Sequence, residues 1–194
     1  MDGFQKRRER TQENILRVSL ELFRERGFKK VSIADIALRA DVSPVTVYNH
    51  FNSKETLIRE ALKYLSEGIL EKYQEIIKGD KPFLEKLSMI VFDKSVLISQ
   101  FQGELVRVFI SDPDLHDYYD SMFNNEALRL MSDLYNEGKK KGYVNPEISI
   151  DAFLIFTEIL RQGIYHYPSL PDRLGKDPEL AKQLTAIFVY GLNR

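Results

Sequence analysis

Residues 42–54 read VSPVTVYNHFNSK, and this stretch decides the fold of the N-terminal part of the chain. Ser43 is a suitable helix N-cap, because its hydroxyl can accept a hydrogen bond from a backbone N–H one turn further on. Pro44 then falls at the first helical position, where its missing N–H does no harm. Val47 and Phe51 are four residues apart and predict one inward face. The stretch is therefore predicted to form one short helix.

The outward side of this short helix is polar but nearly uncharged. It carries Thr46, Tyr48, Asn49 and His50, and Lys54 follows just beyond the helix. Hydroxyl, phenol, amide, imidazole and ammonium groups can contact the phosphates and base edges of nucleic acid. A solvated face would more often carry Glu and Lys. The pattern favours a nucleic-acid contact, and packing of Tyr48 in a core is the alternative.

The composition is typical of a folded, soluble chain, with 43% hydrophobic and 29% charged residues among 194. Because there is no Cys, neither a disulfide nor a thiolate metal site can form. No secretory signal and no apolar stretch near the ~18 residues of a membrane span is visible, so we expect a cytoplasmic protein without membrane contact. Residues 1–60 hold 12 basic and 9 acidic side chains, whereas the remainder holds 16 and 20. This asymmetry suggests two functions or arises by chance.

Helical periodicity dominates the sequence, and strand alternation is nearly absent. A first helix is predicted at residues 10–26, with Gly27 as its stop. Ser32 and Asp35 form a capping-box pattern at the start of a second, short helix. Only a tight turn separates that helix from the one capped by Ser43. The pair is therefore a helix-turn-helix by spacing.

The remaining residues predict further helices around a larger core. A long fourth helix is predicted at residues 54–77. We expect the boundary between two domains, 1–60 and 61–194, to lie within this helix. Later helices are predicted at residues 83–102, 104–111, 115–141, 150–166 and 178–192. The helix at 150–166 is apolar in nearly every direction, which predicts burial against a second subunit as well as its own core.

Residues 10–60 as a whole resemble the TetR family of bacterial transcriptional regulators. The matching elements, in order and spacing, are Ile15-Leu16, Glu21-Leu22-Phe23, Arg26-Gly27-Phe28, Val31 to Ala37, Ala40 to Ser43 and Val47 to Leu57. The rest of the chain matches the family only in length and helix count. The resemblance implies an all-α homodimer. Its three-helix N-terminal DNA-binding domain would be joined by a long helix to a helical ligand-binding and dimerisation domain.

The resemblance also implies which side chains contact DNA. The predicted DNA-binding residues are Ser32, Ser43, Val45, Thr46, Tyr48, Asn49, His50 and Lys54. Among them, Tyr48, His50 and Lys54 match positions that commonly hold phosphates. Ser32 matches a phosphate contact at the start of the second helix.

Contacts with bases are implied for Thr46 and Asn49. Many family members carry Lys-Gly where this chain has Pro44-Val45, so a basic contact is lost here. Val45 can instead touch a thymine methyl group, which is an apolar form of base recognition. The basic run Lys6-Arg7-Arg8 can enter an adjacent minor groove, or it can be a solvated tail.

An effector pocket is predicted where aromatic and methionine side chains lie among a few polar ones. Its candidate residues are Phe101, Phe109, Tyr119, Met122, Phe123, Met131, Tyr135 and Gln162. Small-molecule sites are mostly apolar with a few polar anchors, but so are ordinary cores, and both interpretations stay open. The composition favours an apolar or aromatic small molecule.

The dimer interface is predicted on the last two helices, which the resemblance assigns to this role. Its candidate residues are Phe153, Phe156, Leu160, Leu184, Ile187 and Phe188. A homodimer can bind a pseudo-palindromic operator, because protein symmetry and DNA symmetry must match.

The predicted function is that of a repressor released from double-stranded DNA by a ligand. We expect no enzyme activity, no catalytic residue, no cofactor and no metal, since no Glu-x-x-His pair, phosphate loop or nucleophile elbow occurs. One alternative is a helical protein-interaction regulator with no small-molecule effector. Another is an all-helical enzyme that retains a decayed DNA-binding head.

Overall fold

The computed structural model describes residues 3–90, 112–122 and 126–165, together with isolated positions further along the chain. All regular structure within these residues is helical, which confirms the predicted all-α fold class. The predicted helix at 104–111 lies outside the described residues, as does most of the one at 178–192. None of the described helices has the length and apolar character needed to cross a membrane.

The first helix, α1 (Gly3–Arg26), begins seven residues before its predicted start at Arg10. The added residues include Gln, Lys, Arg and Glu, which are strong helix formers but carry no apolar period that a sequence pattern could detect. Gly27 ends the helix with φ of 80°, and its N–H donates to the Phe23 carbonyl at 2.8 Å. The predicted glycine stop is confirmed. The buried stripe of α1 consists of Ile15, Leu16, Val18, Ser19, Leu22 and Phe23.

Helices α2 (Ile33–Ala40) and α3 (Pro44–Phe51) form the predicted helix-turn-helix, and each is capped by the predicted serine. The Asp35 N–H donates to Ser32 Oγ at 3.1 Å, and the Ser32 N–H donates to the Asp35 carboxylate at 2.8 Å. This is the reciprocal capping box. Asp41 ends α2 in the left-handed conformation, with φ of 55°. Hydrogen bonds between close neighbours therefore fix the start of both helices.

Helix α4 (Lys54–Lys78) extends one residue beyond its predicted end. The hydroxyl of Ser53 accepts from the Thr56 N–H at 3.0 Å, which caps the helix as Ser43 caps α3. Leu57 has no exposed surface, so the first turns of α4 contribute to a core.

The chain divides into two compact units within α4. The first unit contains the described residues up to Ile69 together with residues 112–115. The second unit contains residues 70–90 and the described residues from 116 onward. The predicted division between residues 60 and 61 stays a prediction.

Four helical segments follow α4 in the described ranges. They are α5 (83–90), α6 (Pro113–Met122), α7 (Leu128–Lys140) and α8 (Ile150–Tyr165). Two of them, α6 and α7, cover the described parts of the helix predicted at 115–141, and residues 126–127 form a wider π-helical turn directly before α7. Gly142 follows α7 with φ of 76°, as its predicted role as a stop requires.

An ion-pair cluster in the first unit joins α4 to the start of α6. Arg59 donates through Nε and one terminal nitrogen to Asp112 at 3.1 and 3.0 Å, and it also pairs with Asp114 at 3.0 Å. The other oxygen of Asp112 accepts from the Leu115 N–H at 3.2 Å. Burial raises the pKa of Asp112, but the hydrogen bonds from Arg59 and from backbone N–H groups, together with the charge of Arg59, outweigh burial and leave the pKa below its usual value. Asp112 therefore caps α6 as an anion.

The second unit holds a buried ammonium group between α4, α5 and α7. Lys86 of α5 is 3% exposed, and its Nζ donates to the Ile77 carbonyl at 2.7 Å and to Glu137 at 2.9 Å. Lys141 donates to the other oxygen of Glu137 at 2.7 Å. These bonds satisfy two sites on the ammonium and both carboxylate oxygens, as a buried pair requires.

Candidate nucleic-acid interface

Helix α3 separates its side chains into an inward apolar pair and an outward set. Val47 is 1% exposed and Phe51 is 2% exposed, so the predicted inward face is confirmed. On the other side, Val45 is 67% exposed and Tyr48 is 49% exposed, and Asn49 is exposed as well. The outward set therefore combines an aliphatic group, a phenol and an amide, with no charged residue among them.

The first turn of α3 holds two hydroxyl groups within its cap. The Thr46 N–H donates to Ser43 Oγ at 3.0 Å, and the two hydroxyl oxygens lie 2.8 Å apart in a further hydrogen bond. One of the two hydroxyl hydrogens is used in this second bond. Thr46 is half-buried, whereas Ser43 and Pro44 are exposed. The predicted base contact of Thr46 would therefore use a hydroxyl that already belongs to the helix cap.

His50 lies at the end of α3, half-buried beside Phe51, with the two ring centroids 5.9 Å apart. Burial lowers the pKa of His50 below its usual value, and the positive charge of Arg8 lowers it further. A neutral imidazole at neutral pH can donate one hydrogen bond to a phosphate but adds no charge.

The basic run predicted as an arm or a tail lies within α1. Residues 6–8 are helical, and the Arg7 Nε donates to the Gly3 carbonyl at 3.1 Å. These residues therefore belong to a helix and not to a disordered tail, and their contact with an adjacent minor groove stays a prediction. Because the charge of Arg8 lowers the pKa of His50, the first turns of α1 place positive charge near the end of α3. Sequence spacing could not reveal this approach, because it depends on how α1 and α3 pack.

Lys54 lies in the first turn of α4, and its ammonium is 3.4 Å from the backbone carbonyl of Lys29. The side chain is half-buried and bridges to the turn between α1 and α2. Its position in a helix N-terminal turn is unfavourable for a cation, and a nearby anion would offset this.

Ser32 uses its polar atoms within the α2 cap. Its hydroxyl and its N–H both contact the carboxylate of Asp35, and Arg26 pairs with the same side chain at 3.6 Å. Hydrogen bonds from Ser32 lower the pKa of Asp35, so the group is ionised at neutral pH. A phosphate at Ser32 would have to compete with this carboxylate for the hydroxyl hydrogen. The sequence pattern identified the capping box but not this competition.

The candidate effector-pocket residues are only partly described. Phe101, Phe109 and Phe123 lie outside the described residues, as do the side chains of Tyr119, Met122 and Gln162. Met131 is half-buried in α7. Tyr135 is 6% exposed, and its hydroxyl donates to the Ile148 carbonyl at 2.7 Å. The phenol of Tyr135 thus already has a partner within its own unit.

Helix α8 exposes apolar side chains along one side. Ile155 is 61% exposed, Phe156 is 39% exposed and Ile159 is 60% exposed. Leu160 is half-buried. Of the candidates beyond α8, Leu184 is half-buried, Ile187 is 67% exposed and Phe188 lies outside the described residues.

Phe153 differs from the other candidate interface residues. It has no exposed surface and packs on the ring of Tyr135, with centroids 5.4 Å apart. A side chain enclosed by its own subunit cannot contribute area to a dimer interface. The prediction of Phe153 as an interface residue is corrected to a core residue.

The N-terminal helices of this chain are similar to those of a known family of regulatory proteins. Residues 15–61 match the profile described as "Bacterial regulatory proteins, tetR family". The chain is 27% identical over 151 residues to the HTH-type transcriptional repressor KstR2 of Mycolicibacterium smegmatis, covering 74% of this chain and 72% of that protein. It is 26% identical over 158 residues to the HTH-type transcriptional regulator UidR of Escherichia coli K12, covering 77% of this chain and 76% of that protein.

Solved structures extend the likeness in fold over nearly the whole chain. A TetR transcription regulator from Haloarcula marismortui aligns with a TM-score of 0.74 at 18% identity, over 96% of this chain and 100% of that one. Salmonella enterica GusR aligns with a TM-score of 0.68 at 20% identity, over 94% and 95%. At these identities the likeness concerns the fold alone.

Proposed function

Since this chain belongs to the tetR family of bacterial regulatory proteins and is a DNA-binding transcriptional regulator, we propose that it represses transcription as a homodimer on a pseudo-palindromic operator. The outward face of α3 carries this proposal. It presents groups that bind DNA on a helix whose apolar side, Val47 and Phe51, is fully occupied within the protein. The net charge of +3 over residues 1–60 adds electrostatic attraction to phosphates.

The proposed contacts divide between the DNA backbone and the bases. Tyr48, His50 and Lys54 hold phosphates and set the orientation of α3, whereas Asn49 contacts a base edge in the major groove. His50 would act as a neutral hydrogen-bond donor, because its pKa is lowered by burial and by Arg8. Salt dependence of binding would then come mainly from Lys and Arg side chains.

The proposed dimer rests on the exposed apolar side of α8. Ile155, Phe156 and Ile159 leave a patch open to water in the single chain, and large exposed apolar patches mark association sites. A second copy would cover this patch and place two α3 helices in successive major grooves. The half-sites would then lie about one helical turn, ~34 Å, apart or at a larger multiple.

We further propose that an apolar or aromatic small molecule releases the protein from DNA. Such a ligand would act by binding one arrangement of the dimer more tightly than the arrangement that fits the operator. The aromatic and methionine content of residues 101–135 supports an apolar ligand. Repression without any effector is the alternative that the same residues allow.

The decisive experiment for DNA recognition is selection of a binding site from random double-stranded DNA, followed by affinity measurements over a range of salt concentrations. The variant Tyr48→Phe with Lys54→Ala should weaken binding to the selected site and to random DNA by a similar factor. It should also reduce the slope of log K against log salt by about 1 per removed lysine. An unchanged affinity and slope would reject the phosphate contacts.

The matched control for this variant is Tyr64→Phe with Lys78→Ala. Both control residues lie on α4, both are exposed, and the chemical changes are the same. The control should bind the selected DNA as the unmodified protein does. Equal losses in both variants would indicate a general effect of charge rather than contacts at α3.

A further inference from the structure

The first turn of α3 lacks the side chains that distinguish guanine, adenine and cytosine. Guanine is read by Arg or Lys, adenine by Asn or Gln, and cytosine by Asp or Glu, whereas the methyl group of thymine is read by apolar contact. Residues 43–46 are Ser, Pro, Val and Thr, so the turn contains no Arg, Lys, Asn, Gln, Asp or Glu side chain that could select one of these three bases. The chemistry of this turn leaves thymine as the base it can select.

The two hydroxyl groups of this turn do not change that conclusion. Ser43 and Thr46 hydrogen-bond to each other at 2.8 Å, and Ser43 also accepts the Thr46 N–H at 3.0 Å. Their oxygens are therefore held in the cap, and at most one hydroxyl hydrogen is free. A hydroxyl can bond to donors or acceptors on any base, so it discriminates poorly.

Val45 is the side chain that this turn offers to a ligand. It is 67% exposed although it is a branched aliphatic residue on a helix whose other valine is buried. In helix-turn-helix proteins, the N-terminal residues of the second helix contact the base edges. Val45 is the second residue of α3, so its two methyl groups lie at the end of the helix that meets base edges in such proteins.

We propose that Val45 recognises the 5-methyl group of a thymine in each half-site, which makes that T·A pair a specificity determinant of the operator. This inference rests on the proposed DNA-binding function and deepens it. Asn49, one turn further along α3, would read a neighbouring adenine through its amide. Each half-site would thus combine a thymine selected by apolar contact with an adenine selected by hydrogen bonds.

The test replaces single thymines of the selected operator by deoxyuridine, which removes the methyl group and keeps the base-pairing edge. Burial of one such group corresponds to about four-fold in affinity, or about fifteen-fold when both half-sites are changed. The substitution should have this effect at one thymine position per half-site. In Val45→Ala, the same substitution should have a clearly smaller effect, because the two γ-methyl groups of valine are absent and only the Cβ atom remains near the thymine methyl.

Two control variants locate the effect at Val45. Thr46→Ser keeps the capping hydroxyl and removes the threonine methyl, and it should retain sensitivity to deoxyuridine. Leu38→Ala removes an apolar side chain that is 85% exposed on α2, and this variant should also retain its sensitivity to deoxyuridine. Thermal unfolding of Val45→Ala should match that of the unmodified protein, since an exposed side chain contributes little to the core.

The outcomes separate this inference from the proposed function. An operator whose affinity is insensitive to deoxyuridine at every thymine overturns the role of Val45 but leaves DNA binding intact. Sensitivity that is undiminished in Val45→Ala overturns it too, because another residue then contacts the methyl group. A selection that enriches no sequence overturns the proposed function itself, and this inference with it.

Discussion

Helices α2 and α3 differ from helix α8 in where their apolar side chains go. In α2 and α3, Ile36, Val47 and Phe51 are at most 2% exposed, and residues next to each helix in sequence form its cap. In α8, Ile155 and Ile159 are at least 60% exposed. The DNA-binding helices complete their packing within one chain, whereas α8 leaves apolar area that a partner can cover.

The helix caps of α2 and α3 and the buried pair of Lys86 differ in how far apart the bonded residues lie in sequence. The Ser32–Asp35 and Ser43–Thr46 bonds span three residues each. The bond from Lys86 to Glu137 spans 51 residues. Local bonds specify a helix whatever surrounds it, while distant bonds form only when the surrounding helices are already packed. Removing a bond between distant residues should therefore lower the free energy of unfolding more than removing a local bond.

The largest expected effect comes from a charge on the exposed side of α8. Ile159→Asp with Phe156→Asp would bury two carboxylates in the proposed interface, and hot-spot losses of about 3 kcal/mol or more correspond to at least ~100-fold weaker dimerisation. Sedimentation analysis should show monomers at micromolar concentration, and affinity for the selected operator should fall in parallel. The control Asp151→Asn, exposed on the same helix, should remain dimeric.

A double-aspartate variant that stays dimeric would place the interface elsewhere and remove the proposed explanation for the exposed side of α8. Far-UV circular dichroism distinguishes this from unfolding. Since both residues are already exposed in the single chain, the helical signal should be retained.

The second effect concerns the buried ammonium group. Removing one partner of a buried pair costs about 3 kcal/mol, so Lys86→Ala should lower the free energy of unfolding by roughly that amount. Lys86→Met, which keeps the volume of the side chain, should lose less. Both are measured by urea unfolding at pH 7. The exposed pair Arg17–Glu21 provides the control, since Arg17→Ala should lose well under 1 kcal/mol.

The pH dependence of this cluster follows from Glu137. Burial raises its pKa, but the hydrogen bonds from Lys141 and Lys86 and the charges of these lysines together outweigh burial and leave the pKa below its ordinary value of 4.5. The stabilisation is therefore complete above pH 4.5 and is lost as the pH falls through the lower pKa of the folded protein. The stability difference between the unmodified protein and Lys86→Met should be constant near neutral pH and shrink on acidification. A difference that grows instead would contradict this assignment.

The sequence predicted the N-terminal helices well because their signals are local. Ser32, Asp35 and Ser43 indicate where helices start through bonds between residues at most three apart, and Gly27 indicates where a helix ends. The sequence pattern does not indicate the start of α1, because the first turns of this helix are polar and lack an apolar period. The resemblance over residues 10–60 then supplied roles for individual side chains that no periodicity could supply.

The remainder could not be predicted because it depends on packing. An apolar pattern around all of α8 does not show which side chains face the core, so it cannot separate Phe153, which packs on Tyr135, from the exposed Ile155 and Ile159. The pairing of Asp112 with Arg59, 53 residues away, has no sequence signature. The hydrogen bond from the Ser32 hydroxyl to the Asp35 carboxylate likewise cannot be predicted from the sequence.

A third, smaller effect tests packing against glycine. A Cβ on Gly138 would lie 2.7 Å from Phe83 and from Val144, so Gly138→Ala should overpack the core and cost about 1–3 kcal/mol. On α4, Gly68 has nothing within 4 Å of a built Cβ. Gly68→Ala should therefore stabilise the protein by up to about 1 kcal/mol, because alanine favours the helix. Thermal unfolding midpoints that move in the same direction for both variants would refute this contrast.

The smallest effect separates helix capping from DNA contact. Ser43→Ala leaves the Thr46 N–H without its partner and should cost about 1 kcal/mol, and Ser149→Ala should cost α8 the same, since Ser149 accepts from the Ala152 N–H at 3.1 Å. Aspartate is as good a cap as serine, so Ser43→Asp and Ser149→Asp should both unfold like the unmodified protein. Only Ser43→Asp places a negative charge on the α3 surface proposed to meet DNA, and it should weaken operator binding, most strongly at low salt. If Ser149→Asp weakens binding equally, the loss reflects net charge alone, and the first turn of α3 has no special part in DNA recognition.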